Sequence, residues 1–328
     1  MLSVSGCSTD NVWLRFGWPS GVTPQAERMR NLWTWSVLAA LAMGVLVWGL
    51  TFWTIAFHRK KKDSPEFPRQ TGYNVPLELS YTAIPFLIIA ALFYFTVDVE
   101  NYVNDRSHRA DVVVDVTAYQ WNWKFGYRTV DMDGVKYDGA NHGAEAALRE
   151  QDKRTEEATE DGHPQPGAIY GKDPSSLSYL HVDHIQTVGS SSEIPVLVVP
   201  IGKLIEFQLS SADVIHGFWV PEFLEKRDVN PNPAANHSDN IIQLGPISRE
   251  GAFVGRCTEM CGTFHSMMNF EVRAVTPDKF ARYLDARRRG ADNAEALRQI
   301  RETPIATSTH PFDTRRRIQD ATASSAGK

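Results

Sequence analysis

The stretch CTEMCGTFHSMM, residues 257–268, places two thiols, one imidazole and three thioethers on one short segment. A further imidazole, His216, lies upstream in DVIHGFWVP, residues 213–221. Thiolate and thioether sulfur favour copper or iron–sulfur clusters, whereas a methionine adds little to a zinc site and nothing to a hard cation. This mixture of donors predicts a copper site.

The presence of a second cysteine distinguishes the segment from a mononuclear cupredoxin site, which needs one Cys, two His and a weak axial Met. Cys257 and Cys261 can both bridge a pair of copper ions, each of which is then capped by one imidazole. Because an electron shared by two ions changes each bond length little, such a site suits rapid electron transfer. It needs no open position for a substrate.

The residues alone leave three other interpretations open. Cys257 and Cys261 could form a disulfide in a domain outside the cytoplasm. They could bind zinc together with His216 and His265, although the methionine would then be unexplained. They could also be buried free cysteines. Of the remaining methionines, Met260 and Met267 are expected to pack into the core.

Together these two segments closely resemble the copper domain of cytochrome c oxidase subunit II. In that family both cysteines bridge two copper ions, each histidine caps one copper, the methionine is a weak ligand, and the carbonyl of the glutamate is another. The resemblance also implies that the Glu259 carboxylate faces a magnesium site shared with subunit I. Carried over by position, the copper ligands are His216, Cys257, Glu259, Cys261, His265 and Met268.

Composition limits the remaining classes of function. The chain has 328 residues, a net charge of −5 and three cysteines. The negative charge argues against nucleic-acid binding, and three cysteines are few for a disulfide scaffold. No C-x-x-C-H motif occurs, so no haem of the c type is expected on this chain. The electron donor must therefore be another protein or subunit.

Two apolar stretches predict a transmembrane hairpin. Residues 31–57 and 79–97 contain no Asp, Glu, Lys or Arg. At about 1.5 Å per residue each is long enough to span about 30 Å of hydrocarbon when the flanking residues are included. We expect transmembrane helices at 31–57 and 77–98. A buried core hairpin is the alternative.

The connection between these helices indicates their orientation. Residues 59–62 are four consecutive basic residues, which place the loop 58–76 on the cytoplasmic side of a bacterial plasma membrane. The N-terminal segment 1–30 and everything after the second helix then lie outside. VSGC, ending at Cys7, matches the end of a bacterial lipoprotein signal and predicts a lipid-modified cysteine; a free cysteine in a disordered tail is the alternative.

The rest of the chain predicts an all-β cupredoxin-like antiparallel sandwich at 99–275 with an acidic insertion at about 131–193. Residues 110–127 alternate like a half-buried strand, and several short strand-like runs follow without helices between them. The insertion could hold a short helix or remain mobile, and its pair His181 and His184 is expected to be exposed. A C-terminal helical segment, 276–303, opens with Thr276 as a cap. Residues 304–328 are predicted to be disordered.

Two further segments suggest routes for electrons and protons. QWNW, residues 120–123, resembles the aromatic segment of subunit II where cytochrome c docks, and by position Trp121 corresponds to the electron entry residue. A core tryptophan is the alternative. Glu78, seven residues before Pro85, resembles the glutamate near the cytoplasmic entrance of a proton channel that continues into subunit I. A solvated carboxylate at the interface is the alternative.

The resemblance, which includes actinobacterial forms with similar insertions, implies the following function. The chain would accept electrons from cytochrome c, or from a cytochrome c domain of a cytochrome bc complex, and pass them to haem in subunit I for oxygen reduction coupled to proton pumping. It would work with subunit I and other oxidase subunits, so its enzymatic role belongs to the complex. Three competing functions are a quinol oxidase subunit without copper, a nitrous oxide reductase and a membrane-bound copper chaperone.

Overall fold

The computed structural model describes residues 11–67, 70–160 and 177–311, which form two compact units. The first unit contains two long helices, α1 (Pro24–Phe57) and α2 (Val75–Val103). Both are long and apolar enough to cross a membrane, and the most apolar stretch of each has no buried residue. Cys7, the predicted lipidation site, lies outside the described residues.

Helix α2 begins with a reciprocal cap. The Asn74 side chain accepts a hydrogen bond from the Leu77 backbone N–H at 3.3 Å, and Glu78 Oε1 accepts one from the Asn74 backbone N–H at 2.9 Å. This arrangement satisfies two backbone donors that have no partner within the helix. Glu78 therefore has a structural role at the start of α2. Pro85 lies inside α2 without ending it, as a membrane helix tolerates.

The second unit is a sandwich of two β-sheets. One sheet has the strand order β3-β2-β1-β6-β9, with β4 also paired to β2, and the other has the order β5-β11-β10-β7-β8. The strands are β1 (Val112–Tyr119), β2 (Asn122–Met132), β3 (Val135–Asp138), β4 (Gln186–Val188), β5 (Val196–Pro200), β6 (Ile205–Ser211), β7 (His216–Trp219), β8 (Lys226–Val229), β9 (Ile241–Leu244), β10 (Gly251–Cys257) and β11 (Asn269–Val275).

The sandwich is confirmed, with two differences in detail. The stretch predicted as one strand at 110–127 folds as the antiparallel pair β1 and β2, because the chain turns back at residues 120–121. Two strand pairs, β1 with β6 and β5 with β11, are parallel. Parallel pairing needs a long crossover connection, and several strands of the sandwich lie between the members of each pair in sequence.

An aromatic core joins the two sheets beside the predicted copper ligands. Phe218 and Phe270 stack with ring centroids 4.9 Å apart, and Trp123 meets Phe270 at 5.1 Å. All three rings are almost completely buried, and aromatic side chains of this size dominate the energetics of a core. Phe218 and Phe270 lie two residues after His216 and Met268 in their respective segments, so this packing fixes the positions of both.

Helices complete the sandwich. The insertion contains α3 (His142–Glu160), and the C-terminal segment contains α4 (Pro277–Arg288) and α5 (Asn293–Gln299). The Thr276 side chain caps α4 by accepting a hydrogen bond from the Lys279 backbone N–H at 3.3 Å, in agreement with the sequence. Tyr127 of β2 packs against Phe280 and Tyr283 of α4.

The tail predicted to be disordered from residue 304 is ordered in its first part. The buried carboxylate of Glu271 accepts hydrogen bonds from the backbone N–H groups of Thr307 and Ser308 at 2.6 and 2.7 Å. Arg273 pairs with the same carboxylate. This contact was not predictable from the sequence, because the segment is held by a buried ion pair on β11, more than 30 residues away. The tail beyond residue 311 lies outside the described residues.

Candidate metal centre

The loop between β10 and β11 is closed at its base by the backbone. The Cys257 N–H donates to the Met268 carbonyl at 3.1 Å, so the residues that begin and end the loop are neighbours. A short 3-10 turn, His265–Met267, completes the loop. This geometry brings the thiols of Cys257 and Cys261, the His265 imidazole and the Met268 thioether close together.

Cys257 lies at the centre of the first group of donors. Its Sγ lies 3.8 Å from Cys261 Sγ, 3.8 Å from His216 Nδ1 and 3.3 Å from the Glu259 carbonyl oxygen. His216 begins β7, which pairs with β10, so the sheet brings this distant imidazole to the loop. The donor atoms of His216, Cys257 and Cys261 all lie within 4.8 Å of one another.

Cys261 collects the second group of donors. Its Sγ lies 3.5 Å from His265 Nδ1 and 3.9 Å from Met268 Sδ. His216, Met268 and both cysteines are buried, and both thiols are free, so the disulfide alternative is not formed. Each thiol therefore has its own imidazole, and Met268 stands beside only one of them.

The electrostatics of the two thiols fit a positively charged occupant. Burial raises the pKa of Cys257, but His216 and the backbone hydrogen bonds with Gly217 and Glu259 together outweigh burial and lower it. Burial and the neighbouring Cys257 raise the pKa of Cys261. Two thiolates at this separation therefore oppose each other's ionisation. A metal cation between them would remove that conflict, and the soft donor set suits copper.

Asp213 orients the first imidazole. Asp213 Oδ1 lies 2.8 Å from His216 Nε2, which leaves Nδ1 facing Cys257. Burial opposes ionisation of Asp213, yet its hydrogen bonds with His216 and with the backbone of Gln120 and Val214 together lower its pKa. Burial lowers the pKa of His216, but Asp213 and Cys257 together outweigh that effect and raise it. A carboxylate that fixes the far nitrogen of a metal-ligating histidine is a common outer partner.

The turn between β1 and β2 contacts the same loop. Trp121 Nε1 and Gln120 Nε2 both donate to the Cys261 carbonyl, at 3.0 and 2.8 Å. The Gln120 backbone N–H donates to Asp213 Oδ2 at 2.6 Å. Gly262 allows this approach, since its φ is +117° and an added Cβ would lie 3.2 Å from the Trp121 ring.

Gln120 was missed by the sequence analysis. It bridges the Cys261 segment and the Asp213 segment, and the only signal in the sequence was its position next to Trp121. Trp121 is partly buried and meets Phe264 edge-on at 5.0 Å. Trp123 belongs to the core. The structure thus separates the two tryptophans of the QWNW motif.

Two predictions about the other methionines need correction. Met260 is 76% exposed and Met267 is only partly buried, so neither is a core residue. The reason is geometric, because residues 258–260 loop outward between the two cysteines. Met260 and Phe264 of this loop, and Ile215 just before His216, are instead exposed apolar side chains.

The Glu259 side chain points to a different partner from its carbonyl. Its carboxylate Oε2 lies 3.4 Å from Lys226 Nζ, which also pairs with Asp228 at 2.6 Å. The carboxylate is partly exposed. The two polar groups of Glu259 are thus directed to separate places.

A family model described as cytochrome C oxidase subunit II, periplasmic domain, matches residues 178–275. The chain is 70% identical over 98% of its length to a probable cytochrome c oxidase subunit 2 of Nocardia farcinica, and covers 87% of that protein. The chain belongs to the cytochrome c oxidase subunit II family. It is also 54% identical over 96% of its length to the cytochrome c oxidase subunit 2 of Mycobacterium tuberculosis, covering 86% of it.

A solved structure is also similar to this subunit II. The periplasmic domain of subunit II of cytochrome oxidase of Bradyrhizobium japonicum matches with 24% identity and a TM-score of 0.32, covering 56% of this chain and 99% of that one. The cytochrome c oxidase subunit II family has a CuA cupredoxin-like domain, and its general role is electron transfer from cytochrome c. This subunit II is therefore part of an oxidoreductase complex that includes other oxidase subunits.

Proposed function

We propose that this chain holds the dinuclear copper centre of its oxidase through six residues. The observation that supports this best is the pairing of each buried thiol with its own imidazole across a short distance between the sulfurs. Such a centre, when bound, supplies one-electron redox chemistry with little change in geometry. The proposed ligands are His216, Cys257, Glu259 through its carbonyl, Cys261, His265 and Met268.

The residues around the centre have distinct tasks in this proposal. Cys257 and Cys261 provide the negative charge, and the sandwich core excludes water from their buried side. Asp213 holds His216 with Nδ1 toward the thiols. The backbone bond between Cys257 and Met268 keeps the loop closed, so the donors need little rearrangement when the redox state changes.

Trp121 is the proposed point of electron entry from a cytochrome c. Its indole is partly buried, and its Nε1 donates directly to the Cys261 carbonyl. Phe264, which meets the Trp121 ring edge-on, is exposed, as are Ile215 and Met260 of the ligand segments. Exposed apolar side chains of this kind suit a brief contact with another protein. The donor is a soluble cytochrome c or a cytochrome c domain of a cytochrome bc complex.

The test of the copper proposal is spectroscopic. In the full chain loaded with copper, we expect two coppers per chain and a hyperfine pattern from one electron shared by two equivalent nuclei. One copper with a mononuclear pattern would overturn the dinuclear proposal. Trp121→Phe should keep this spectrum while slowing electron entry from cytochrome c. An unchanged rate would remove Trp121 from the route.

Glu259 is also proposed to bind magnesium at the boundary with subunit I. The support is its partly exposed carboxylate, which is held by Lys226 rather than by the copper loop. A divalent cation must then compete with Lys226 for this carboxylate. Glu259→Gln should lower binding of Mn²⁺, used as a spectroscopic substitute for Mg²⁺, and should leave the copper spectrum intact. Unchanged Mn²⁺ binding would contradict the assignment.

Glu78 is proposed to deliver protons from the cytoplasmic side in an oxidase that translocates them. Because Glu78 also caps α2, the two roles must be separated. Glu78→Gln keeps an oxygen that can accept the Asn74 N–H but cannot carry a proton, whereas Glu78→Ala loses both functions. Slower turnover in Glu78→Gln would support proton delivery. Loss of turnover only in Glu78→Ala would assign the residue to capping alone.

The placement of the β unit outside the bacterial plasma membrane is also a proposal. It is supported by the basic residues 59–62, which favour the cytoplasmic side. Cys7 would then lie on the side where lipoproteins are modified. Mass spectrometry of the N-terminal peptide from wild type and Cys7→Ser tests this, and an unmodified wild-type peptide would exclude lipidation.

A further inference from the structure

A buried polar cluster lies where the insertion covers the outer face of the first sheet. Asp115 of β1 and Gly126 of β2 are cross-strand partners. Asp183, from the segment that leads to β4, lies over Gly126, where any Cβ would collide with the Asp183 carboxylate. Asp115 and Asp183 are each only 4% exposed. Two acids from distant parts of the chain therefore share one closed space.

Three carboxylates share the Arg128 guanidinium. Arg128 Nη1 lies 2.5 Å from Glu145 Oε1 and 3.5 Å from Asp183 Oδ1, and its Nε lies 3.9 Å from Asp115 Oδ2. His181 Nδ1 lies 2.9 Å from Asp115 Oδ1. The groups that face Asp183 come from every adjacent element: Asp115 (β1), Lys124 and Arg128 (β2), Tyr137 (β3), Glu145 (α3) and His181.

Two oxygens in this cluster accept no hydrogen bond. Asp115 Oδ2 and Asp183 Oδ1 are buried without a donor, although the two carboxyl groups lie within hydrogen-bonding reach of each other. Two ionised carboxylates cannot form such a bond, because both only accept. One proton turns one of them into a donor and satisfies the pair. Burial, together with Asp115, raises the pKa of Asp183 to about 7.

We propose that Asp115 and Asp183 form a buried proton-binding site that fastens the insertion to the sheet. A proton suits this space better than a metal ion, because the Arg128 guanidinium lies beside the same oxygens and would repel a second cation. When the proton leaves, two like charges remain buried side by side, and the Arg128 guanidinium is already shared with Glu145. The segment of residues 180–188 then separates more easily from β2. None of this depends on the copper assignment.

The sign of the pH dependence follows from linkage. Because the docked state raises the pKa of Asp183 above its ordinary value of 3.8, docking is strongest at low pH. It weakens as the pH rises toward about 7, by at most about tenfold per pH unit for one proton. The hydrogen bond to Asp115 raises the pKa of His181 above 6.5. His181 therefore weakens docking in the same direction, but over a higher range of pH.

Amide hydrogen exchange in the purified oxidase complex tests the proposal. Two backbone bonds between this part of the chain and β2 report docking directly, because the Tyr127 N–H donates to the Ile185 carbonyl at 3.3 Å and the Gly189 N–H donates to the Trp123 carbonyl at 2.9 Å. After correction for intrinsic exchange, opening of residues 180–188 should rise up to about a hundredfold between about pH 4.5 and about pH 6.5. Amides of β10 and β11 serve as the internal reference.

Three variants make the test specific. Asp183→Asn should remove the pH dependence, because its amide donates to Asp115 at every pH. Asp133→Asn, at a fully exposed carboxylate, should keep the wild-type slope. His181→Gln should also keep the slope in this acidic window. A flat wild type, a slope that persists in Asp183→Asn, or a slope lost in His181→Gln would each overturn the proposal.

A second measurement covers the case in which Asp183→Asn does not dock. Infrared spectroscopy of the wild-type oxidase should then show a protonated-carboxyl band that titrates toward pH 7 and is lost in Asp115→Asn. Persistence of that band in Asp115→Asn, or its absence from the wild type, would show that the pair holds no proton.

Discussion

The ligand loop at residues 257–268 and the insertion at residues 131–193 are both polar interruptions of the sandwich, yet they differ in how far their contacts reach along the chain. Within the loop, Cys257 and Cys261 meet four residues apart. In the insertion, His181 meets Asp115 across 66 residues. Chemistry carried by neighbouring residues of rare type is visible in a sequence. Polar contacts between distant residues of common type are not.

Loss of a bridging thiolate should have the strongest consequence for the ligand loop. Cys261→Ser replaces a soft bridging thiolate with a hydroxyl, which is a poor copper ligand. We expect loss of the shared-electron spectrum and more than about a 100-fold fall in electron transfer from cytochrome c, beyond the 10- to 100-fold typical of outer partners of a metal site. Copper analysis and single-turnover kinetics of the variant complex measure this.

Met260→Leu is the matched control for Cys261→Ser, because Met260 lies in the same loop and is exposed. It should leave the copper content and the spectrum unchanged. A variant Cys261→Ser with a wild-type spectrum would show that Cys261 is not a bridging ligand.

The next effect tests the insertion. Arg128→Met leaves the buried carboxylates of Asp115, Asp183 and Glu145 without their shared cation. Removing one partner of a buried ion pair costs about 3 kcal/mol or more. We expect a clear loss of thermal stability and faster proteolysis within the insertion, while the copper spectrum stays as in the wild type.

Arg109→Met is the comparison for Arg128→Met. Arg109 pairs with Asp131 at 2.5 Å but its side chain is 83% exposed, so its loss should cost less than about 1 kcal/mol. Equal effects of the two variants would mean that the cluster under the insertion contributes no more than a surface ion pair.

The same contrast explains how much could be predicted from the sequence. The alternation of residues 110–127 and the strand-like runs after it predicted the sandwich. The soft donors of residues 257–268, with His216 upstream, predicted a copper site, and the family resemblance added Glu259 to the candidate ligands. The turn at Gln120 was hidden because the alternation of residues 110–127 continues through it and resembles one strand. His181 was expected to be exposed, but it is half-buried against Asp115, since nothing local marks Asp115 as its partner. His184 is exposed as expected.

A smaller effect on copper retention is expected from Asp213, which does not bind copper in the proposal but orients its ligand His216. Asp213→Asn keeps the size of the side chain but removes the charge that orients His216. Substitution of such a partner typically lowers metal affinity about 10-fold or more. We therefore expect faster loss of copper to a chelator, with the dinuclear spectrum retained at saturating copper. Glu222→Gln, on the 3-10 turn after β7, is the control, and equal copper loss from both variants would count against a specific role for Asp213.

The mildest variant concerns Gln120, a residue of common type beside the ligand loop. Gln120→Met keeps the length of the side chain but removes the donor to the Cys261 carbonyl, which retains its bond from Trp121. A net loss of about 1 kcal/mol corresponds to about a fivefold change in copper retention or electron entry. Gln208→Met, which breaks a bond to Glu206 on β6 at 2.8 Å, should change neither. If Gln120→Met also changes neither, Trp121 alone positions the turn. If Gln120→Met alters the copper spectrum, the contact between the turn and the ligand loop tunes the metal centre. The only sequence signal for that contact was the position of Gln120 next to Trp121.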